Sequence, residues 1–310
     1  MSEVLSSRTK GTLCLIASAF GFAAMGMFVR LADDLGGPIS CFQKGFFRNA
    51  VAVVIAAVLF ARNLKGRASG RSQHLDSQFS ETSHLPTSSP SHLPTLFLLV
   101  LRSVLGTAGI FLNFYAISHI PLADAMMLNK LAPFFTVAFS WVFLGERLRL
   151  AQGACLAGAL LGAACVVKPG FAAVSVFPAL CGFAGGICAG GAYACVHALG
   201  RRRVDPRSIV LFFSAFSCLA SVPFMVADFA PMTTAQIWTL VGAGAMAALG
   251  QFGVTAAYRF TEPRAIAAWD YTNILFAALF GLLLFGQIPD VLSAVGFVAI
   301  VASALMLRKT

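Results

Sequence analysis

Residues Leu131–Lys168 read LAPFFTVAFSWVFLGERLRLAQGACLAGALLGAACVVK, and residues Thr272–Lys309 read TNILFAALFGLLLFGQIPDVLSAVGFVAIVASALMLRK. Laid over one another at a shift of 141 positions, the distance from Leu131 to Thr272, they match Phe135 with Phe276, Phe139 with Phe280, Gly145 with Gly286 and Lys168 with Lys309. Just upstream, after a slip of one position, Pro121-x-Ala123-x-Ala125 matches Pro263-x-Ala265-x-Ala267. Both copies are long apolar runs of the kind that only a bilayer accommodates. A duplicated helical unit in a membrane is the usual sequence trace of a transporter whose halves rock about a central site.

Composition points the same way. The chain of 310 residues is 58% hydrophobic and 11% charged, with mean hydropathy +0.83, where a soluble globular chain carries about a quarter charged residues. A water-soluble fold is excluded. The net charge of +10 would suggest nucleic acid in a soluble protein, but here most Lys and Arg fall in short loops between apolar runs, where they orient helices. No nucleic-acid partner is expected. The eight cysteines all lie inside apolar segments. None forms a CxxC pair or stands at metal-ligand spacing from a His, so neither a disulfide framework, a metal site nor a cofactor is expected. Cys181, Cys188 and Cys195 recur on one helix face and read as small side chains packing against a neighbour.

Windows of about twenty apolar residues predict ten spans: 11–31, 39–61, 94–117, 121–144, 151–167, 174–198, 207–227, 236–258, 265–286 and 291–307. The first is too long for the h-region of a cleaved signal and is read as a membrane helix. Five spans fall in each half, giving a first repeat over 1–170 and a second over 171–310. With both termini cytoplasmic, Arg8, Lys10, Arg62, Lys65, Arg67, Arg71, Arg147, Arg149, Arg201, Arg202, Arg203, Arg207, Arg259, Arg264, Arg308 and Lys309 fall inside. Only Arg30 and Lys168 stay outside, as the positive-inside rule requires. An odd number of spans per repeat places equivalent corners on opposite sides. That explains why Glu146-Arg147-Leu148-Arg149 becomes Gln287-Ile288-Pro289-Asp290. The expected fold is thus an all-α integral membrane protein with ten transmembrane helices in two inverted five-helix repeats.

The one long polar stretch, Arg62–Leu93, repeats Ser83-His84-Leu85-Pro86-Thr87 at Ser91-His92-Leu93-Pro94-Thr95 and reads as a disordered cytoplasmic loop. In the sixth span Gly182, Gly186 and Gly190 recur at four-residue spacing, a seam where helix backbones approach closely.

Ionisable residues inside apolar spans are costly and face a cavity or a partner. Lys44 and Arg48 lie one turn apart on the second span, Arg102 lies in the third, Lys130 follows Asn129 in the fourth, and Asp270 stands between Trp269 and Tyr271 in the ninth. The repeat shift sets Asn129-Lys130 against Asp270-Tyr271, the same depth of symmetry-related helices, where a midplane site is expected. Lys44, Arg48, Arg102, Asn129, Lys130, Trp269, Asp270 and Tyr271 are therefore the candidate substrate-binding residues. Four cations against one or two acids favour an oxyanion, and Trp269, Tyr271 and Tyr115 could stack on a flat organic group. The bland alternatives are that Arg102 snorkels to the cytoplasmic end and Lys44 to the outer end, or that Lys130 and Asp270 bridge the halves as a gate.

Phe46-Phe47-Arg48-Asn49, Phe114-Tyr115-Ala116-Ile117, Pro121-Leu122-Ala123-Asp124-Ala125, Pro133-Phe134-Phe135 and Leu144-Gly145-Glu146-Arg147 together resemble EamA-type carriers of the drug/metabolite transporter superfamily. Asp270-Tyr271-Thr272 and Phe285-Gly286-Gln287-Ile288-Pro289 extend the likeness to the second half. The resemblance implies a ten-helix inner-membrane carrier with a central cavity and alternating access, moving a small metabolite. Gln287 stands where the family often has Glu. No GxxxxGK[ST] segment occurs, so secondary transport is expected, by exchange or coupled to protons through Asp270. The expected partners are a small-molecule substrate, the lipid bilayer and protons, with the chain as a monomer or homodimer. An enzyme is not expected, since the only adjacent acids are Asp33-Asp34 and no catalytic constellation accompanies them. A flippase for a phosphate-bearing lipid is the alternative, distinguished by cations reachable from the bilayer.

Overall fold

The computed structural model describes residues 2–68, 95–144, 150–167, 176–202, 204, 206–260, 269 and 271–307. Eleven helices run through them: α1 (Ser2–Asp34), α2 (Cys41–Ala68), α3 (Thr95–His119), α4 (Leu122–Asn129), α5 (Ala132–Leu144), α6 (Leu150–Val167), α7 (Val176–Arg201), α8 (Pro206–Ala227), α9 (Thr234–Phe260), α10 (Thr272–Phe285) and α11 (Val291–Leu307). No strand occurs among the described residues. Six stretches are long and apolar enough to cross a membrane, with three shorter apolar helices beside them. Together with α2, which covers the expected second span, these nine correspond to the ten expected spans, the fourth being split into α4 and α5.

Two boundaries differ from expectation. Helix α1 begins well before Gly11, and α2 runs through Arg62, Lys65 and Arg67 to Ala68. Arg, Leu, Lys and Ala are good helix formers, so the apolar window ends before the helix does. Residues 69–93 of the expected polar loop, the Glu146–Arg149 corner and Asp270 lie outside the described residues.

The break in the fourth span has a local cause. Pro133 has no N–H to offer the carbonyl of Asn129, and its ring crowds that carbonyl, so the helix cannot continue through. The turn tightens instead. Lys130 N donates to the carbonyls of Met126 and Met127, Leu131 N donates to Leu128, and α5 restarts with Pro133 in its first turn, where proline is tolerated. In the second repeat Trp269 and Tyr271 stand in a 3₁₀ turn directly before α10, although Ile274 holds the place of Pro133.

Helix packing respects the duplication. Helix α1 packs on α9 as α7 packs on α3; α10 packs on α1 as α5 packs on α7; α9 packs on α2 as α3 packs on α8. The pairs α2 with α8, α6 with α11 and α4 with α10 map onto themselves. Close backbone approach holds the two main seams. A Cβ on Gly21 of α1 would lie 2.8 Å from Gly250 N of α9, and one on Gly109 of α3 would lie 3.3 Å from Gly185 O of α7. The central apolar cluster gathers Phe114, Ile117, Leu122, Met127, Leu128, Leu131 and Phe134 with Val29, Ala247 and Ile274. It therefore surrounds the broken fourth span.

Orientation follows from two contacts. Gln287, just after α10, accepts from Leu122 N at the start of α4, and Arg30 at the same end lies over the Phe285 ring. Helix α5, the counterpart of α10, ends at Leu144, across the span from Leu122. Equivalent helices thus end on opposite faces, as inverted repeats demand.

Candidate functional site

The first polar cluster lies where α2, α3 and α8 meet. Arg48 is buried, 7% exposed, and its Nη1 donates to Asn49 Oδ1 at 2.9 Å. Asn49 Nδ2 donates to Gly45 O and to Ser217 Oγ, each at 2.9 Å, and Thr107 Oγ1 donates to the same Ser217 hydroxyl. One turn back along α8, Phe213 carries the Arg102 guanidinium 3.8 Å above its ring. Helical side chains usually lean toward the N-terminus of their helix. Arg102 does the reverse: its Nη1 lies beside Gly106, one turn further from the start of α3. It does not snorkel to the near end, because the small Gly106 and the Phe213 face provide a berth deeper in the bundle.

The Arg102 charge acts repulsively on Arg48, and Tyr193 of α7 lies near both. Tyr193 is itself 51% exposed. Neither arginine has a counter-charge: among the described residues the ion pair present is Lys44 with Asp33. Arg48 Nε and Arg102 Nε and Nη1 are buried with no hydrogen-bond partner. Such groups are uncommon, because an unmade bond to a buried charged donor is expensive.

Lys44 occupies different surroundings. Its Nζ donates to Asp33 Oδ2 at 2.6 Å and to Ser118 Oγ at 2.7 Å, with 1% of the side chain exposed. The other Asp33 oxygen accepts from Ile39 N, so the carboxylate ties the α1–α2 connection to α3. Around it Arg30 Nη1 donates to the carbonyls of Ile117 and Ile120. Gln43 exchanges two hydrogen bonds with the Ala230 backbone, and Gln236 Nε2 donates to the carbonyls of Ala32 and Gly37. With Gln287 on Leu122, these contacts knit together the end of the bundle remote from the N-terminus.

The second cluster is the break itself. Asn129 and Lys130 are half-buried there, and Trp269 is 46% exposed at the corresponding place of the second repeat. Tyr271 packs against the central apolar cluster, and α4 packs on α10. The carbonyl of Trp269 accepts from Thr272 Oγ1 at 2.7 Å. Helix α7 links the two clusters. A Cβ on Gly186 would lie 2.6 Å from Leu128 O, and Thr136 Oγ1 donates to Gly190 O. Tyr193 follows Gly190 by three residues, about 4.5 Å of helical rise on nearly the same face.

The structure therefore places Arg48 and Arg102 at one helix junction, and packs α4, which ends at Asn129, on α10, which follows Trp269 and Tyr271. Lys44 stands apart from both. Sequence reading missed Asn49, Thr107, Ser217 and Tyr193, and the Asp33 partner of Lys44. Serine and threonine in apolar helices carry no positional signal, and a lone tyrosine reads as packing. The weak available signal was Asn49 directly after the buried Arg48.

The model of the EamA-like transporter family matches residues 9–168. A Pseudomonas aeruginosa protein named pseudopaline exporter CntI is 31% identical over 309 residues, covering 99% of each chain. A riboflavin transporter of Brucella anthropi is 24% identical over 303 residues, covering 95% of this chain and 97% of the relative. Human solute carrier family 35 member G1 is 23% identical, covering 94% of this chain and 77% of the relative. A solved crystal structure at 20% identity superposes with a TM-score of 0.55 over 94% of this chain and 96% of its own, a likeness of fold.

Proposed function

Because the chain belongs to the EamA-like transporter family, whose relatives are named as membrane transporters of small metabolites, we propose that it is a secondary carrier of an anionic or zwitterionic metabolite. It works by alternating access, with 1–170 and 171–310 as the two moving repeats in the inner membrane and both termini cytoplasmic. The observation that carries this reading is the interrupted fourth span. Transporter sites form at broken helices near the midplane, where irregular backbone lines a polar cavity. Here Asn129-Lys130 sits in such a break, opposite the helix that follows Trp269 and Tyr271.

In this reading Arg48, Arg102, Asn129, Lys130, Trp269 and Tyr271 face the substrate, and Asp270 is the proton-linked group. Lys44 belongs to the closure of the outer end, since Asp33 and Ser118 occupy it. Export is the direction supported by the full-length relative named an exporter.

A thermal-shift screen of purified protein against organic anions, amino acids, nucleotides, flavins and organic cations tests the substrate class. Anions or zwitterions are expected to stabilise it, and stabilisation by cations alone would overturn the reading. Proton coupling is tested by transport into proteoliposomes across a pH gradient with Asp270→Asn; unchanged coupling removes Asp270 from the mechanism.

A further inference from the structure

Resting on the carrier reading, we infer that Arg48 and Arg102 form the subsite that grips a carboxylate group of the transported molecule at the junction of α2, α3 and α8. The argument begins with charge. Arg48 and the Nε and Nη1 of Arg102 lie buried at one junction, the Arg102 charge acts repulsively on Arg48, and among the described residues no acid pairs with either. A chain that keeps two buried like charges without a counter-ion is poorly served by them unless an anion arrives from outside.

Donor accounting points the same way. Each guanidinium offers five N–H groups. Arg48 gives one of them to Asn49 Oδ1, while its Nε and the Nε and Nη1 of Arg102 have no partner. Both side chains are held. Asn49 is pinned by Gly45 and Ser217, Ser217 by Thr107, and the Arg102 guanidinium carbon rests 3.8 Å from the centre of the Phe213 ring. A planar fork held in place matches a planar carboxylate.

Phosphate fits less well. Phosphate sites draw on free backbone N–H groups, chiefly at helix N-termini. Arg48 and Arg102 stand in the third turns of α2 and α3, past the free N–H groups of the first turns, and the local hydroxyl and amide groups are engaged with one another. Tyr193, exposed on α7, lies near both arginines and one turn beyond Gly190, whose carbonyl accepts from Thr136 of α5. It leads toward the break at Asn129-Lys130, where the rest of the substrate would lie.

The test is a thermal-shift titration of the purified protein with succinate, citrate and inorganic phosphate at constant ionic strength. It uses the wild type, Arg48→Gln, Arg102→Gln and Arg102→Lys. Carboxylates should raise the wild-type midpoint, and the half-saturating concentration should rise at least tenfold in each Gln variant. Arg102→Lys, which keeps the charge and loses the fork, should fall between. Without added anion the Gln variants should unfold at or above the wild-type midpoint, since each loses an uncompensated charge; a purely structural arginine would give a lower one. The inference is overturned by equal carboxylate response in the variants, by no carboxylate response in the wild type, by phosphate outperforming both carboxylates, or by marked destabilisation of both Gln variants. Transport of some other compound without any carboxylate response would sink this subsite and leave the carrier reading standing, whereas absence of all transport in proteoliposomes would remove that reading itself.

Discussion

Lys44 is among the largest fully buried side chains, and its ammonium sits 2.6 Å from Asp33 Oδ2. A long cation in the middle of an apolar sequence is thereby neutralised eleven residues away, across the connection between α1 and α2. The bond fixes where the second helix enters the bundle, because Asp33 also accepts from Ile39 N just ahead of it.

Removing one partner of that pair leaves the other buried and uncompensated. Asp33→Asn should destabilise the protein by about 3–5 kcal/mol, as broken buried pairs do. The double variant Asp33→Leu with Lys44→Met should recover most of the loss. Thermal or denaturant unfolding in mild detergent decides this; equal losses in the single and double variants would show that the pair is not what matters.

Gln287 holds the N–H of Leu122, one of the orphan donors at the start of α4. Gln287→Ala should cost about 1 kcal/mol. Gln287→Glu should hold stability or raise it slightly, since a negative charge favours a helix N-terminus. The comparison of unfolding midpoints among the three proteins checks both signs.

Gly186 lies against the carbonyl of Leu128, immediately before the break in the fourth span. An alanine there would force a backbone apart, so Gly186→Ala should cost about 1–3 kcal/mol. Gly200→Ala has open space around it and should be neutral or mildly stabilising in this helix. A similar midpoint for the two variants would contradict the close approach of α7 to α4.

Cysteines placed singly at Ser2 and Thr310 in a background lacking the native ones should both react with a membrane-impermeant maleimide only after the cell envelope is opened. One placed at Asp290 should react in intact spheroplasts. Reaction of the two termini from opposite sides would end the inverted-repeat topology.

Much of the architecture was legible because membrane helices announce themselves by length and hydropathy, and because the duplication sets the two halves against each other. The bounds failed at α2, where Arg62 and Lys65 end the apolar window without ending the helix. The break at Lys130 was less visible, although Pro133 contained it: an apolar window averages over a single proline. Site residues divided along physical lines. Arg48 and Arg102 stand out from sequence because charge in an apolar helix is conspicuous, whereas the pairing of Lys44 with Asp33 depends on how α1 folds back on α2. Asn49, Ser217 and Thr107 acquire meaning only when three helices set Asn49 and Thr107 each 2.9 Å from the Ser217 hydroxyl.

Three glutamines, Gln43, Gln236 and Gln287, clasp backbone groups of Ala230, of Ala32 and Gly37, and of Leu122 respectively. Primary amides carry no net charge, and each such bond is worth about 1 kcal/mol because water offers an equivalent replacement. A rim fastened this way comes undone at little expense whatever the ionic strength, and refastens without expelling a counter-ion. The charged groups described in that rim are the Asp33–Lys44 pair, which burial shields from salt, and Arg30 beside Asp34.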